Sequence, residues 1–203
     1  MHPEMEKKTR AKSEATRKTL VNAALTVIGR QGYAGATIEK IAEEAGVSKG
    51  VVYYYFKTKA DIATNVLIDS FEKIVGEFEA IMDRRLHPHE TMTQFVGTFA
   101  RMIFQNQEAS RFILSELWRD DRIWSEEMRQ TEERLISMLE SLVESSIACG
   151  IVRPEIDARF VSIATIGTVL TSAQYYLMQD DSETEGAFAQ HCIDFIHHAL
   201  KAD

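Results

Sequence analysis

Apolar residues recur along this chain at intervals of three and four, and strict alternation of apolar with polar positions is nearly absent. That is the pattern of helices that each bury one face. Residues 15–30 put Leu20, Ala23, Ala24, Val27 and Ile28 on one face, and the run ends among Gly29, Gly32 and Gly35. Thr37 is placed to cap a short helix carrying Ile38, Ile41 and Ala42. Gly46 interrupts it, and Ser48 is placed to cap another that reaches about Tyr55. A long helix is expected from Thr58 to about Arg84, with Ile62, Val66, Phe71, Ile74, Val75 and Phe78 as its apolar positions. Leu86-His87-Pro88-His89 reads as a turn, and further helices are expected at 90–106, 109–119, 122–149, 157–179 and 184–201. The predicted class is all-α.

The stretch from Thr37 to Phe56 is the informative one. Two short helices meeting at a wide angle need a small residue where they cross, which Ala42 supplies. The sharp turn after it favours a residue that tolerates positive φ, which Gly46 supplies. Ile41, Ala45, Val47, Val52 and Tyr55 fall at the offsets that anchor such a pair, and together these features spell a helix-turn-helix. With about 100° of rotation per residue, Val52 and Tyr55 facing inward would turn Gly50, Tyr53 and Tyr54 outward, with Lys49 at the side and Val51 on the opposite flank. Gly50 would allow close backbone approach to a duplex, and Lys49 would donate to phosphate or guanine. The two tyrosine hydroxyls would reach phosphate oxygens, and Val51 would touch a thymine methyl. Lys57 and Lys59 flank the start of the long helix, whose amides favour a phosphate. Thr37 would serve the earlier helix in the same way. Lys7, Lys8, Arg10, Lys12, Arg17 and Lys18 make residues 1–13 and their neighbours a basic arm.

Net charge is −8, which taken alone speaks against nucleic acid. Its distribution reverses that. Residues 1–62 hold 11 Lys/Arg against 7 Asp/Glu, leaving 12 against 24 for residues 63–203. A basic front and an acidic body suit a protein that meets phosphates at one end only. Cys149 and Cys192 lie far apart with no metal-ligand spacing, so both are expected as small core residues. No HExxH, phosphate-binding loop or GxSxG sequence occurs, so neither an enzyme nor a bound cofactor or metal is expected. The absence of a run of about 18 apolar residues and of an apolar leader points to a cytoplasmic protein with no membrane partner.

Residues 15–67 resemble the DNA-binding domain of the TetR family of repressors. The resemblance is carried by Gly32-Tyr33, Ala36-Thr37-Ile38, Ile41 to Val47, Ser48-Lys49-Gly50, and the run from Val52 to Lys59 with Ile62. It implies a three-helix DNA-binding domain (residues 14–60) and a larger helical domain (61–203) that binds a small molecule and dimerises through its last two helices. It also implies that Thr37, Ser48, Lys49, Gly50, Val51, Tyr53, Tyr54 and Lys59 meet DNA. Val51 departs from a position that is frequently polar in the family, leaving the base it reads open.

Beyond that domain the residues speak for themselves. The expected helix at 157–179 is apolar nearly all round and so must be covered on both sides. Phe160, Ala164, Gly167 and Thr171 form one stripe. With Phe188, Cys192, Phe195, Ile196 and Ala199 of the last helix they are the expected dimer contacts. Phe95, Phe99, Met102, Ile103, Phe112, Trp118, Trp124, Met128 and Tyr176 are the large, adaptable side chains expected to line a pocket for a hydrophobic inducer. The function expected is a ligand-responsive regulator, a repressor that binds a palindromic operator as a homodimer. An architectural or cell-division protein sharing the same DNA-binding head is the alternative.

Overall fold

The computed structural model describes residues 3–117, 125–178 and 185–202, with side chains from residue 11 onward. The described residues form nine helices: α1 (Pro3–Gly35), α2 (Ile38–Glu44), α3 (Lys49–Tyr55), α4 (Lys59–Met82), α5 (Pro88–Gln105), α6 (Gln107–Leu117), α7 (Glu126–Ala148), α8 (Ala158–Met178) and α9 (Glu185–Leu200). Their one β-type pairing is a single antiparallel bridge between Val152 and Lys201. No described helix is long and apolar enough to cross a membrane.

The chain divides into two compact units, Met1–Ser70 and Phe71–Asp203. The division falls inside α4, ten residues later than a boundary at the end of the helix-turn-helix would put it. The first turns of α4 belong to the first unit because Ile62, Ala63, Val66 and Leu67 are buried and Asn65 accepts from Arg17 on α1. Residues 3–13, expected as a separate arm, are helical and continuous with α1. That helix is broken at Gly32 (φ 69, ψ 166), just ahead of α2.

The face expected of α1 is the one it buries: Leu20, Ala23, Ala24, Val27 and Ile28 are all under 7% exposed. In the second unit, Val75, Phe78 and Ile81 of α4 join Phe95, Phe99 and Ile103 of α5, Leu135 and Leu139 of α7, Val169 and Ala173 of α8, and Phe188 and Ile196 of α9 in one core. Phe78 stacks on Phe95 with ring centres 4.1 Å apart and meets Phe99 edge-on. Arg134 on α7 pairs with Glu72 and Glu79 of α4, and Arg159 on α8 pairs with Glu133 and Glu140 of α7. These exposed pairs set register more than stability.

Candidate nucleic-acid interface

The hinge of the reading head is built from backbone. Thr37 caps α2, its hydroxyl oxygen accepting from the Lys40 amide at 3.3 Å. At the other end Gly46 adopts φ 67, its amide donates to the Glu43 carbonyl at 3.0 Å, and the Val47 amide reaches back to the Ala42 carbonyl at 2.9 Å. This pair of bonds is a Schellman stop, and it needs a left-handed residue at its centre. Ile41, Ala42 and Val52 are buried, while Ala45, Val47 and Tyr55 are half-buried. These contacts fix the outward face of α3. Tyr55 is held further by its hydroxyl, which donates to Ser13 Oγ at 3.3 Å.

The outward face is open. Tyr54 is 81% exposed and Tyr53 49%, and Ser48, Lys49, Gly50 and Thr37 are exposed too. A Cβ added to Gly50 would meet only Ser48 Oγ, at 3.8 Å. The fold itself therefore makes no demand for glycine there, which leaves room for something from outside. Val51 is half-buried on the flank. Lys49 Nζ donates to the Glu39 carboxylate and lies 5.9 Å from the Tyr53 ring centre. That hydrogen bond is the chief reason the Glu39 carboxyl is held down to about 2, and in return Glu39 pushes the Lys49 amine up.

Two expectations at the start of α4 meet a different arrangement. The Lys59 amine donates to the carbonyls of Tyr33 (2.8 Å) and Ala36 (3.1 Å) and sits 4.2 Å over the Tyr33 ring. These bonds close the end of α1 and leave the third ammonium proton unassigned. The Lys57 and Thr58 amides, which a phosphate would use, both donate to Asp61 Oδ2 at 3.0 Å. The Asp61 amide returns a bond to Thr58 Oγ1, completing a capping box. The Thr-x-x-Asp spacing was legible in the sequence. Glu39 was not singled out there, because an acidic residue in a first helical turn has an ordinary explanation in the helix dipole.

In the second unit Phe95, Phe99, Ile103, Phe112 and Met128 are buried, and Met102 and Tyr176 are half-buried. Trp118 and Trp124 lie outside the described residues. Around Phe78, Met92, Phe95, Phe99, Leu139 and Ile166 the free volume is about 20 Å³, space for a water molecule. A ligand at this place must push side chains aside.

The expected dimer residues divide into two groups. Phe188, Cys192 and Ile196 are at most 5% exposed and point into the core of their own unit, so they have almost no surface to offer a second chain. Phe160, Ala164 and Thr171 on α8 and Phe195 and Ala199 on α9 are exposed, and Gly167 is half-buried. On α8 the exposed surface also takes in Ile163, and Tyr175 and Met178 continue the three-and-four spacing past Thr171. Ser162, Thr165, Val169, Ala173 and Leu177 occupy the opposite, buried face.

A glycine-stopped helix crossing a second short helix, with an exposed tyrosine, lysine and glycine face on the latter, defines a DNA-binding protein of the helix-turn-helix class. Among the described residues no group of three or more His, Cys, Asp or Glu is placed to hold a metal ion. The chain belongs to the TetR family. The model described as bacterial regulatory proteins of that family matches residues 20–66, and one described as a tetracyclin repressor-like carboxy-terminal domain matches residues 88–180. The HTH-type transcriptional repressor KstR2 of Mycolicibacterium smegmatis is 28% identical over 176 residues, which cover 83% of this chain and 82% of that one. The fatty acid metabolism regulator protein of Bacillus subtilis is 20% identical over 161 residues, 79% of this chain and 83% of that one. A crystal structure of the transcriptional regulator FadR from Bacillus subtilis, in complex with stearoyl-CoA, has the same fold. Its TM-score is 0.78 at 18% identity, over 90% of this chain and 98% of that chain.

Proposed function

We propose that this protein is a ligand-released transcriptional repressor, acting in the cytoplasm, in which two copies bind a palindromic operator. The observation that carries this reading is the outward face of α3. Tyr53, Tyr54, Lys49 and Gly50 are exposed and outside the buried core, at the place where a helix-turn-helix enters the major groove. One such module buries too little surface for tight, specific binding, so a symmetric pair is required. The exposed apolar stripe of α8, flanked by Phe195 and Ala199 of α9, is the surface that supplies it.

The inducer we infer is a hydrophobic molecule with a long apolar portion. The Bacillus subtilis similarities point that way: the fatty acid metabolism regulator protein in sequence and FadR crystallised with stearoyl-CoA in fold. The aromatic and methionine side chains of α5 to α8 offer matching surface. Around Phe78, Phe95 and Phe99 the packing leaves about 20 Å³ free, whereas ligand pockets of drug size run to roughly 300–1,000 Å³; a more open space of about 300 Å³ lies beside Tyr176 and Phe188. Entry of such a ligand among the first three rings repacks the core that includes Phe78 of α4. The division between the two units falls inside α4, and we infer that the ligand acts on DNA binding through that helix. Recognition helices must be about 34–36 Å apart to enter successive major grooves.

The test is a mobility-shift titration with the DNA upstream of the protein's own gene and its neighbours, repeated with stearoyl-CoA and with free fatty acids of graded length. Discrete dimer-sized complexes that dissociate on adding one of these ligands are expected. Failure to retain any duplex at low salt would sink the DNA reading. Retention that none of the ligands relieves would sink the proposed inducer class. Continuous coating of long duplexes would favour the architectural alternative.

A further inference from the structure

A carboxylate on a surface that meets phosphates calls for a reason, because a duplex brings negative charge to all of it. Glu39 is such a carboxylate. It projects from the first turn of α2 and accepts from Lys49 at the first turn of α3. Lys49 in turn lies beside the ring of Tyr53, so Glu39 shares the reading face and is not tucked behind it. The ion pair does not remove either group from solvent: the Lys49 and Glu39 side chains remain 51% and 60% exposed. The carboxyl titrates at about 2, held there by Lys49, a backbone amide and Thr37, and so carries its charge at any pH where DNA is duplex.

The pair therefore presents a donor and an acceptor side by side at the leading edge of the recognition helix. In the major groove a G·C pair offers guanine N7 and O6 as adjacent acceptors and, next to them, the N4 amino group of cytosine as a donor. An A·T pair places its donor between two acceptors and adds a methyl group. An ammonium with three protons can take both adjacent guanine acceptors while the acceptor-only carboxylate takes the cytosine amino group, whereas on the A·T edge the amino group separates the two acceptors and the ammonium reaches only one of them.

We propose that Glu39 is a specificity-determining residue of this surface, and that with Lys49 it reads one G·C base pair in each half-site. The ammonium donates to guanine and the carboxylate accepts from cytosine. Where a phosphate or an acceptor edge stands opposite instead, Glu39 is repelled and Lys49 stays on its own carboxylate, so mixed-sequence duplex is held more weakly. The inference rests on α3 being a DNA-recognition helix.

The experiment uses the full chain and its variants Glu39→Ala, Glu39→Gln and Lys49→Ala, selecting from duplexes with a randomised core. Titrations follow on the selected site, on that site with single base pairs changed, and on mixed-sequence duplex. The parent is expected to enrich a two-fold symmetric site with a G·C pair at the same place in each half. Changing that pair to A·T should weaken the parent by about 5- to 150-fold, the range for a good base contact. It should weaken Glu39→Ala and Lys49→Ala by less than about threefold, while discrimination at the other positions is retained. Glu39→Gln, which loses charge but keeps size, should hold mixed-sequence duplex more tightly than the parent does. Full discrimination at every position in Glu39→Ala, or a parent site with no dependence on G·C, overturns the assignment and leaves the DNA reading intact. A parent that enriches no sequence and retains no duplex overturns both. Glu39 is solvent-exposed, so thermal midpoints of the variants should match the parent, and two variants of different shape guard against a folding defect in one.

Discussion

Truncating Phe160 to alanine tests whether the exposed stripe of α8 is covered by a second copy of the chain. Phe160 is 69% exposed, and a large aromatic side chain buries about 150–250 Å² when fully covered, so about 140 Å² of it awaits a partner. Replacing the ring by a methyl group removes about 100 Å² of that per chain, or about 2.5 kcal/mol at ~25 cal/mol per Å². A two-fold axis doubles the loss to about 5 kcal/mol. Incomplete coverage at a rim would halve this, so the dimer dissociation constant should rise by between about 50-fold and 5,000-fold. Sedimentation velocity over a dilution series reads that constant directly. Far-ultraviolet circular dichroism should be unchanged, because the ring makes no part of the monomer core. A parent that is monomeric at tens of micromolar, or a variant whose dissociation constant moves less than about threefold, would refute the reasoning and give the stripe some other covering.

Two glycines of the reading head should behave in opposite ways. Gly46→Val forces a branched side chain to φ 67 and should cost the first unit about 1–2 kcal/mol or more in chemical denaturation. Gly50→Ala meets only Ser48 Oγ at 3.8 Å, so stability should hold while operator affinity falls. Glu132 on α7 has its carboxyl pushed up, first by burial and then by the charge of Glu133. The folded state therefore holds the proton more tightly than the unfolded chain does, and this group's contribution to stability falls as pH rises from about 4.5 through the raised value. Glu132→Gln should raise the melting midpoint at pH 7.5 and leave it nearly unchanged at pH 4.

The reading head was legible from the chain because its determinants are local. Ala42 at the crossing, Gly46 at the stop and the inward spacing of Ile41, Val52 and Tyr55 all fall within one stretch of fifteen residues. Periodicity then decides which side chains face out. On α8 the apolar surround was legible too, but the described structure covers only the face of Ser162, Thr165, Val169, Ala173 and Leu177. Residues whose role depends on a partner from elsewhere in the chain were not legible. Lys59 reads only as a phosphate ligand, and its two carbonyl partners at the end of α1 come from the fold. Glu39 reads as a helix-dipole residue until α3 brings Lys49 to it. Phe188, Cys192 and Ile196 lie on an apolar helix as suited to a dimer as to a core, and packing against α5 and α8 consigned them to the core. Short-range geometry is written in residue spacing, so the amino-acid order alone determined an all-helical chain with a helix-turn-helix at its front. Which charge meets which, and which of two apolar faces stays uncovered, depends on segments tens of residues apart, and only the tertiary structure decided that.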